Sequence, residues 1–385
     1  QEALPFFKKA LETNPIIYQF WLSYINALIK LNLLADAKAV LNEAKSKGVK
    51  GDGFGLIEKH LNGLEKGIEV NVAFNKSKEP AKEQLKNLVN LHTQGLFQKA
   101  LAKSFDLLKD FPNSMNLYNI IGIANRDLGK LDEAVKAYNK ALSLNPNYAE
   151  GFNNMGIVIQ KQGKLEEAIK SYKKAFSIKP NYAEAYFNMG TALQNQGKLD
   201  KAIEAYNKAL LHNPNYAQAY YNLGVSQQNQ DKLDEAIEAY NKALLYNPND
   251  AQANYNMGIA FKTQGKLDKA IASFNKAISL KPNFAKAYNN MGFALQEQGK
   301  LEAIEAYNKA LSHNPNYAEA YYNIGFAFKS QGKLDKAIDS YKKAISLKPD
   351  YVDAHNNMGI ILQESGATKE AIKAYKKSIL YRSDF

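Results

Sequence analysis

Along most of the chain, apolar residues fall on a helical beat and then break off at a polar turn. In residues 183–216, Tyr186, Met189, Gly190 and Leu193 lie on one stripe of a first helix, three or four residues apart. Gly197 turns the chain within a Gln-Gly-Lys-Leu segment. Ala202, Tyr206 and Ala209 then form the inner stripe of a second helix that ends at Asn213-Pro214-Asn215. Gly190 and Ala202 leave room for the two helices to approach closely, and Tyr206 fills the space beyond. Pro214 lacks the N–H that a helix interior needs and pushes the residue before it out of helical angles. The pattern predicts a helix–turn–helix unit. Strands are not expected, because β-branched residues nowhere gather into alternating runs.

That unit recurs. Pro112, Pro146, Pro180, Pro214, Pro248, Pro282, Pro315 and Pro349 follow one another at intervals of 34 residues, with a single interval of 33. Gly122, Gly156, Gly190, Gly224, Gly258, Gly292, Gly325 and Gly359 keep the same beat. With the glycine as the eighth residue of a unit, full repeats fall at 115–148, 149–182, 183–216, 217–250, 251–284, 285–317, 318–351 and 352–385. Such a period predicts a solenoid, in which each unit buries its apolar face against its neighbours. Asp231 takes the place of the turn glycine once, a tolerable change because Asp enters the left-handed region. The repeat 285–317 is one residue short: Leu301-Glu-Ala-Ile304 stands where neighbours read Leu-Asp-Lys-Ala-Ile. Its turn must tighten or its second helix must begin late.

The unit resembles the tetratricopeptide repeat of bacterial type. That motif sets a large residue, Leu, Gly, Tyr or Leu, Ala, Phe or Tyr, Ala and Pro at these spacings, and eight consecutive units match it. The resemblance implies an all-α fold, a right-handed superhelical solenoid of helix–turn–helix repeats. Residues 1–68 are expected to form degenerate N-terminal repeats, the first truncated. Ala3, Phe7, Ala10 and Pro15 match the second half of a unit, and Trp21, Leu28, Ala37, Leu41 and Ala44 match another. Residues 69–80 are expected to be a linker. Residues 81–114 form a degenerate repeat in which Gly95, Ala100 and Pro112 fit but Leu88 replaces the close-packing glycine. The eight regular units occupy 115–385. The chain opens at the second helix of a unit and closes at the last position of another. No following helix would cover Ala371, Ile372, Tyr375 and Ile379. This leads to the expectation of a fragment of a longer polypeptide, or of ends that stack on neighbouring copies.

Composition narrows the function. The formal charge of +12 raises nucleic acid as a partner, yet the only arginines are Arg126 and Arg382, and many lysines are interleaved with Asp and Glu. Solvated helix faces account for that charge better, so neither nucleic acid nor membrane is expected as a partner. The absence of cysteine excludes thiol catalysis, disulfides and cysteine-ligated metals. His212 and His313 occupy one slot near the end of a second helix, and His355 the large-residue slot of a first helix, so all three read as scaffold. No phosphate-binding glycine loop is present, and no nucleophile, base and orienting group can be assembled. The reading is therefore a non-enzyme without cofactor or metal. No residue assigns a compartment; the cytoplasm is the default.

Binding should fall on the first helices. At 100° per residue, positions four, seven, eight and eleven of a unit point to the core, while positions two, six, nine and thirteen form a stripe nearly opposite. Position six is Asn154, Asn188, Asn222, Asn256, Asn290, Asn323 and Asn357. Asn is a mediocre helix former, so its recurrence calls for a reason. A carboxamide can pair with the amide and carbonyl of an extended backbone without reading its side chains. Position nine supplies Ile157, Thr191, Val225, Ile259, Phe293, Phe326 and Ile360 as shallow apolar pockets. The row resembles the asparagine ladder in the repeat arm of O-GlcNAc transferase, which implies a protein or peptide ligand held along a concave groove and a substrate-recruiting arm of a larger protein. The same row would arise if these residues linked neighbouring first helices, or if duplication carried them along. The structural alternative is a self-assembling solenoid, a homo-oligomer stacked head to tail through its uncapped ends.

Overall fold

A computed structural model describes residues 4–49, 53–65 and 79–382. The expected linker at 69–80 lies outside the described residues except for Glu79 and Pro80. Among the described residues there are 22 helices and no strand, as the periodicity requires. The chain divides into two compact units, residues 1–117 and 118–385.

In the first unit, helices Leu4–Thr13, Tyr18–Lys30, Leu34–Ser46 and Gly53–Glu65 gather around Trp21, Ile25, Leu28, Leu41, Phe54, Ile57 and Leu61. The Trp21 indole donates to the Pro15 carbonyl at 2.7 Å, which satisfies its one polar atom on burial. Asn32 takes φ +58 at the turn where later repeats use glycine. The degenerate pair is Lys82–Thr93 and Phe97–Asp110, with Leu88, Ala100 and Ser104 buried.

The second unit is a regular array of helix pairs, each packed on the next. Its central contact is between a glycine and an aromatic ring. A Cβ placed on Gly190 would lie 2.6 Å from the Tyr206 ring, and the same holds at Gly156 with Tyr172 and at Gly258 with Phe274. The ring thus lies directly on the backbone of the first helix, and these rings are fully buried. Glycine is required there for space. At the turns it is required for conformation: Gly197 has φ +72, and Asp231 adopts φ +59 in its stead. The Gly197 N–H bonds to the Gln194 carbonyl at 2.9 Å and the Lys198 N–H to the Leu193 carbonyl at 3.0 Å, closing the first helix.

Between repeats a second set of bonds recurs. Gln162, Gln230, Gln264 and Gln298 each donate to the aspartate opening the preceding second helix (Asp132, Asp200, Asp234 and Asp268) at 2.8–2.9 Å. Before Gln196 that aspartate position is Glu166, and the buried Gln196 amide has no partner among the described residues. The short repeat resolves as a late start. Its second helix runs Ala303–His313, eleven residues where its neighbours have fourteen, and Leu301 is left exposed where the equivalent Leu267 and Leu334 are half-buried. In the last helix, Thr368–Arg382, Ala371, Ala374 and Ser378 are buried and Tyr375 is half-buried. Ile372 and Ile379 stay 49 % and 67 % exposed, whereas Leu142 and Leu210, which match Ile379 in earlier repeats, are 8 % exposed.

Candidate functional site

Successive first helices of the second unit touch one another, Ala149–Lys161 with Ala183–Asn195 and so on to Ala318–Ser330. Among the described residues no pair of successive second helices is in comparable contact. The array therefore curves with its first helices on the inner side, and the candidate stripe lies there.

The asparagines of position six are half-buried, apart from Asn323, which is buried. Each is tied to the repeat before it. Their Nδ2 atoms donate from Asn154 to Asn119 (3.2 Å), Asn188 to Asn153 (2.9 Å), Asn256 to Tyr221 (3.0 Å), Asn290 to Tyr255 (3.1 Å), Asn323 to Asn289 (3.0 Å) and Asn357 to Tyr322 (3.0 Å). All six acceptors occupy position five of the preceding unit. Phe187 has no acceptor there, and Asn222 turns to the Thr191 hydroxyl at 3.5 Å. The row thus joins neighbouring first helices. Asn290 gives its second N–H to the Lys286 carbonyl at 3.1 Å, and among the described residues no side chain donates to the carbonyls of Asn154, Asn188, Asn323 or Asn357. Those of Asn222, Asn256 and Asn290 accept from Gln218, Gln252 and Lys262.

The position-nine side chains lie beside this row. Ile157, Thr191, Val225, Ile259 and Ile360 are half-buried, and Phe293 and Phe326 are 37 % and 43 % exposed. Position thirteen (Lys161, Asn195, Asn229, Thr263, Glu297, Ser330 and Glu364) is exposed throughout. The stripe is consequently an amide row flanked by apolar side chains on one side and polar ones on the other.

Position twelve was not singled out by the sequence. Gln160, Gln194, Gln228, Gln296 and Gln363 accept the hydroxyls of Tyr172, Tyr206, Tyr240, Tyr307 and Tyr375 at 2.7–3.1 Å. The spacing of Gln and Tyr, repeated in five units, was the available signal. Lys262 holds this position in the repeat whose ring is Phe274, and it reaches Asn290 instead. Burial pushes its ammonium below the usual lysine range, with Glu319 opposing the shift.

The histidines are structural. His212 and His313 stack on Tyr186 and Tyr288, each with ring centroids 5.6 Å apart. The His355 Nε2 lies 2.9 Å from the Pro349 carbonyl, repeating the bond of Trp21 to Pro15. Among the described residues no three His, Cys, Asp or Glu side chains are grouped to hold a metal, and no helix is long and apolar enough to cross a membrane.

A stack of helix pairs with an open, polar and apolar inner stripe is an interaction scaffold of the helical-repeat class. The C-terminal domain of cilia and flagella-associated protein 70, a tetratricopeptide region, matches residues 109–321, more than half the chain. Tetratricopeptide-repeat profiles match 306–339, 327–366 and 352–385. The chain belongs to this tetratricopeptide-repeat family. Among solved structures, the chain is similar to MamA at 33 % identity over 42 % of this chain and 95 % of that one, with a TM-score of 0.40. It is similar to YrrB, described as a TPR protein with an unusual peptide-binding site, at 25 % identity over 48 % and 96 %, with a TM-score of 0.44. The C-terminal part of a TPR repeat-containing protein from Cytophaga hutchinsonii shares the fold at 21 % identity over 63 % and 98 %, with a TM-score of 0.53. No curated protein matches the chain.

Proposed function

We propose that the second unit holds an extended peptide along the stripe of its first helices, as the recruiting arm of a larger protein. The observation that supports this reading is the uncovered apolar row at position nine. Nearly every other apolar position of the first helices is covered by a neighbouring helix, yet Phe293 and Phe326 stand open beside the amide row. Adjacent first helices lie about 10 Å apart, close to the length of three residues of extended chain, so each repeat would meet one tripeptide. A net hydrogen bond contributes about 0.5–1.5 kcal/mol, against about 4–15 kcal/mol for association. Affinity therefore has to come from several repeats at once. One amide alone contributes little.

Head-to-tail assembly is the second reading, favoured by the uncovered Ile372 and Ile379. One experiment separates the two. A photo-crosslinking residue at Asn195, Thr263 or Glu297 should capture a labelled pool of random decapeptides, while the same residue at Lys174, Lys208 or Lys242 should not. A crosslinker at Ile379 should join copies of the chain, without added peptide, only if they stack. Capture at the second-helix lysines as efficient as at the first-helix sites would rule out the groove.

A further inference from the structure

The groove reading treats the repeats as interchangeable, but one segment of the stripe departs from the others. At position twelve a glutamine normally receives the hydroxyl of its own repeat's buried tyrosine. In residues 251–284 the buried ring is Phe274, which has no hydroxyl to place. Lys262, freed from that pairing, crosses to the next repeat. Its Nζ lies 2.7 Å from the Asn290 Oδ1 and 4.9 Å from the centre of the Phe293 ring.

Both partners are neutral. Among the described residues no carboxylate lies within ion-pair distance of Lys262, and Glu319, whose charge acts on it, instead accepts a bond from the Asn289 amide at 3.2 Å. A half-buried ammonium with three donors and no counter-ion has lost hydration that one amide oxygen and a ring face restore only in part. An arriving carboxylate would restore it. Next to this charge is Phe293, and one repeat further along the row is Phe326; these are the two most exposed side chains at position nine.

Resting on the groove reading, we infer that the first helices Ala251–Thr263, Ala285–Glu297 and Ala318–Ser330 form a selective subsite, in which Lys262 receives one carboxylate of the bound peptide and Phe293 and Phe326 receive its neighbouring apolar side chains. Glu297 and Glu319 are exposed on the same stripe. They repel an acidic tract, so the subsite takes a single carboxylate set among apolar residues.

The test uses two N-acetylated, C-amidated peptides of about twelve residues, long enough to cross three repeats. They are rich in Ser and Thr and differ only at their centre, Phe-Glu-Leu against Phe-Gln-Leu. A third carries Phe-Gln-Leu at a free C-terminus, which separates a terminal carboxylate from a side-chain one. By fluorescence anisotropy, the Glu peptide should bind about tenfold more tightly than its Gln twin. Lys262→Met, which keeps an apolar stem against Phe293, should abolish that advantage without weakening the Gln peptide, and Phe293→Ala should weaken both. If the terminal carboxylate alone gains the tenfold advantage and loses it in Lys262→Met, the source is the chain end and Lys262 remains its receptor. Equal binding of the Glu and Gln twins, with no gain from the free terminus, overturns the subsite but leaves the groove standing. An advantage that survives Lys262→Met also overturns it. If no peptide binds, both readings fall together.

Discussion

The two units fill the same space between paired helices in different ways. In the regular array a first-helix glycine receives a large second-helix ring, as Gly190 receives Tyr206. In the N-terminal repeat the equivalent residues are Ile25 and Leu41, two medium side chains that are both fully buried. In the degenerate repeat they are Leu88 and Ser104, with the serine hydroxyl turned back to the Ala100 carbonyl at 2.8 Å. Leu88 at the glycine position reads as a defect in sequence, but its counterpart is correspondingly small. The glycine–tyrosine and leucine–serine pairs fill about the same volume by dividing it differently between two positions, which is how close-packed interiors behave.

The largest consequence concerns alkaline solution. Burial raises the phenols of Tyr138, Tyr172, Tyr206, Tyr240, Tyr307 and Tyr341 above the ordinary tyrosine range. Below pH about 10, folded and unfolded phenols are both neutral and stability is complete. Above it the unfolded chain releases protons that the folded chain retains, so stability falls as pH rises. The pairs Ile25–Leu41 and Leu88–Ser104 carry no phenol. The helicity of the array should therefore collapse first, and the emission of Trp21, the sole tryptophan, should change only at higher pH. Coincident transitions would remove the distinction between the units.

The volume rule itself can be broken and repaired. Gly190→Leu should cost about 3 kcal/mol or more, since even a Cβ there meets the Tyr206 ring at 2.6 Å. Adding Tyr206→Ser reproduces the Leu88–Ser104 pairing inside the array and should recover more than half of the loss, read as urea midpoints. Purely additive penalties would mean that the two positions do not share one space.

Much of this was legible in the sequence because it depends on spacing. The Gly and Pro beat gives the helix pairs, and the left-handed turn at Asp231 follows from the residue that replaces glycine there. What was not legible depends on which atoms meet across 30 to 35 residues. The asparagine row could be seen, but its bonds to Tyr221, Tyr255 and Tyr322 depend on how far one helix is rotated against the next. Likewise the glutamine–aspartate bonds between repeats pair two positions that look like ordinary surface in any single unit. Lys262 escaped notice because only the loss of a hydroxyl on the following helix, at Phe274, explains where its ammonium goes.

The smallest effect sharpens the same comparison, because a tyrosine ring brings a hydroxyl that Leu41 and Ser104 do not. Tyr206 donates to Gln194 at 2.7 Å. Tyr341 has Lys329 where that glutamine would be, and its buried hydroxyl has no partner. Tyr206→Phe should then cost about 1 kcal/mol, while Tyr341→Phe should be neutral or stabilising by up to about 1 kcal/mol, since an unsatisfied buried group is removed. Lys329→Gln should stabilise the parent by a similar amount and should lose its benefit in the Tyr341→Phe background, because the new amide then has no hydroxyl to accept. Thermal or urea melts of the four variants resolve these differences as a set. Equal losses from Tyr206→Phe and Tyr341→Phe would show that the ring alone, without its hydroxyl, sets the stability of the pair.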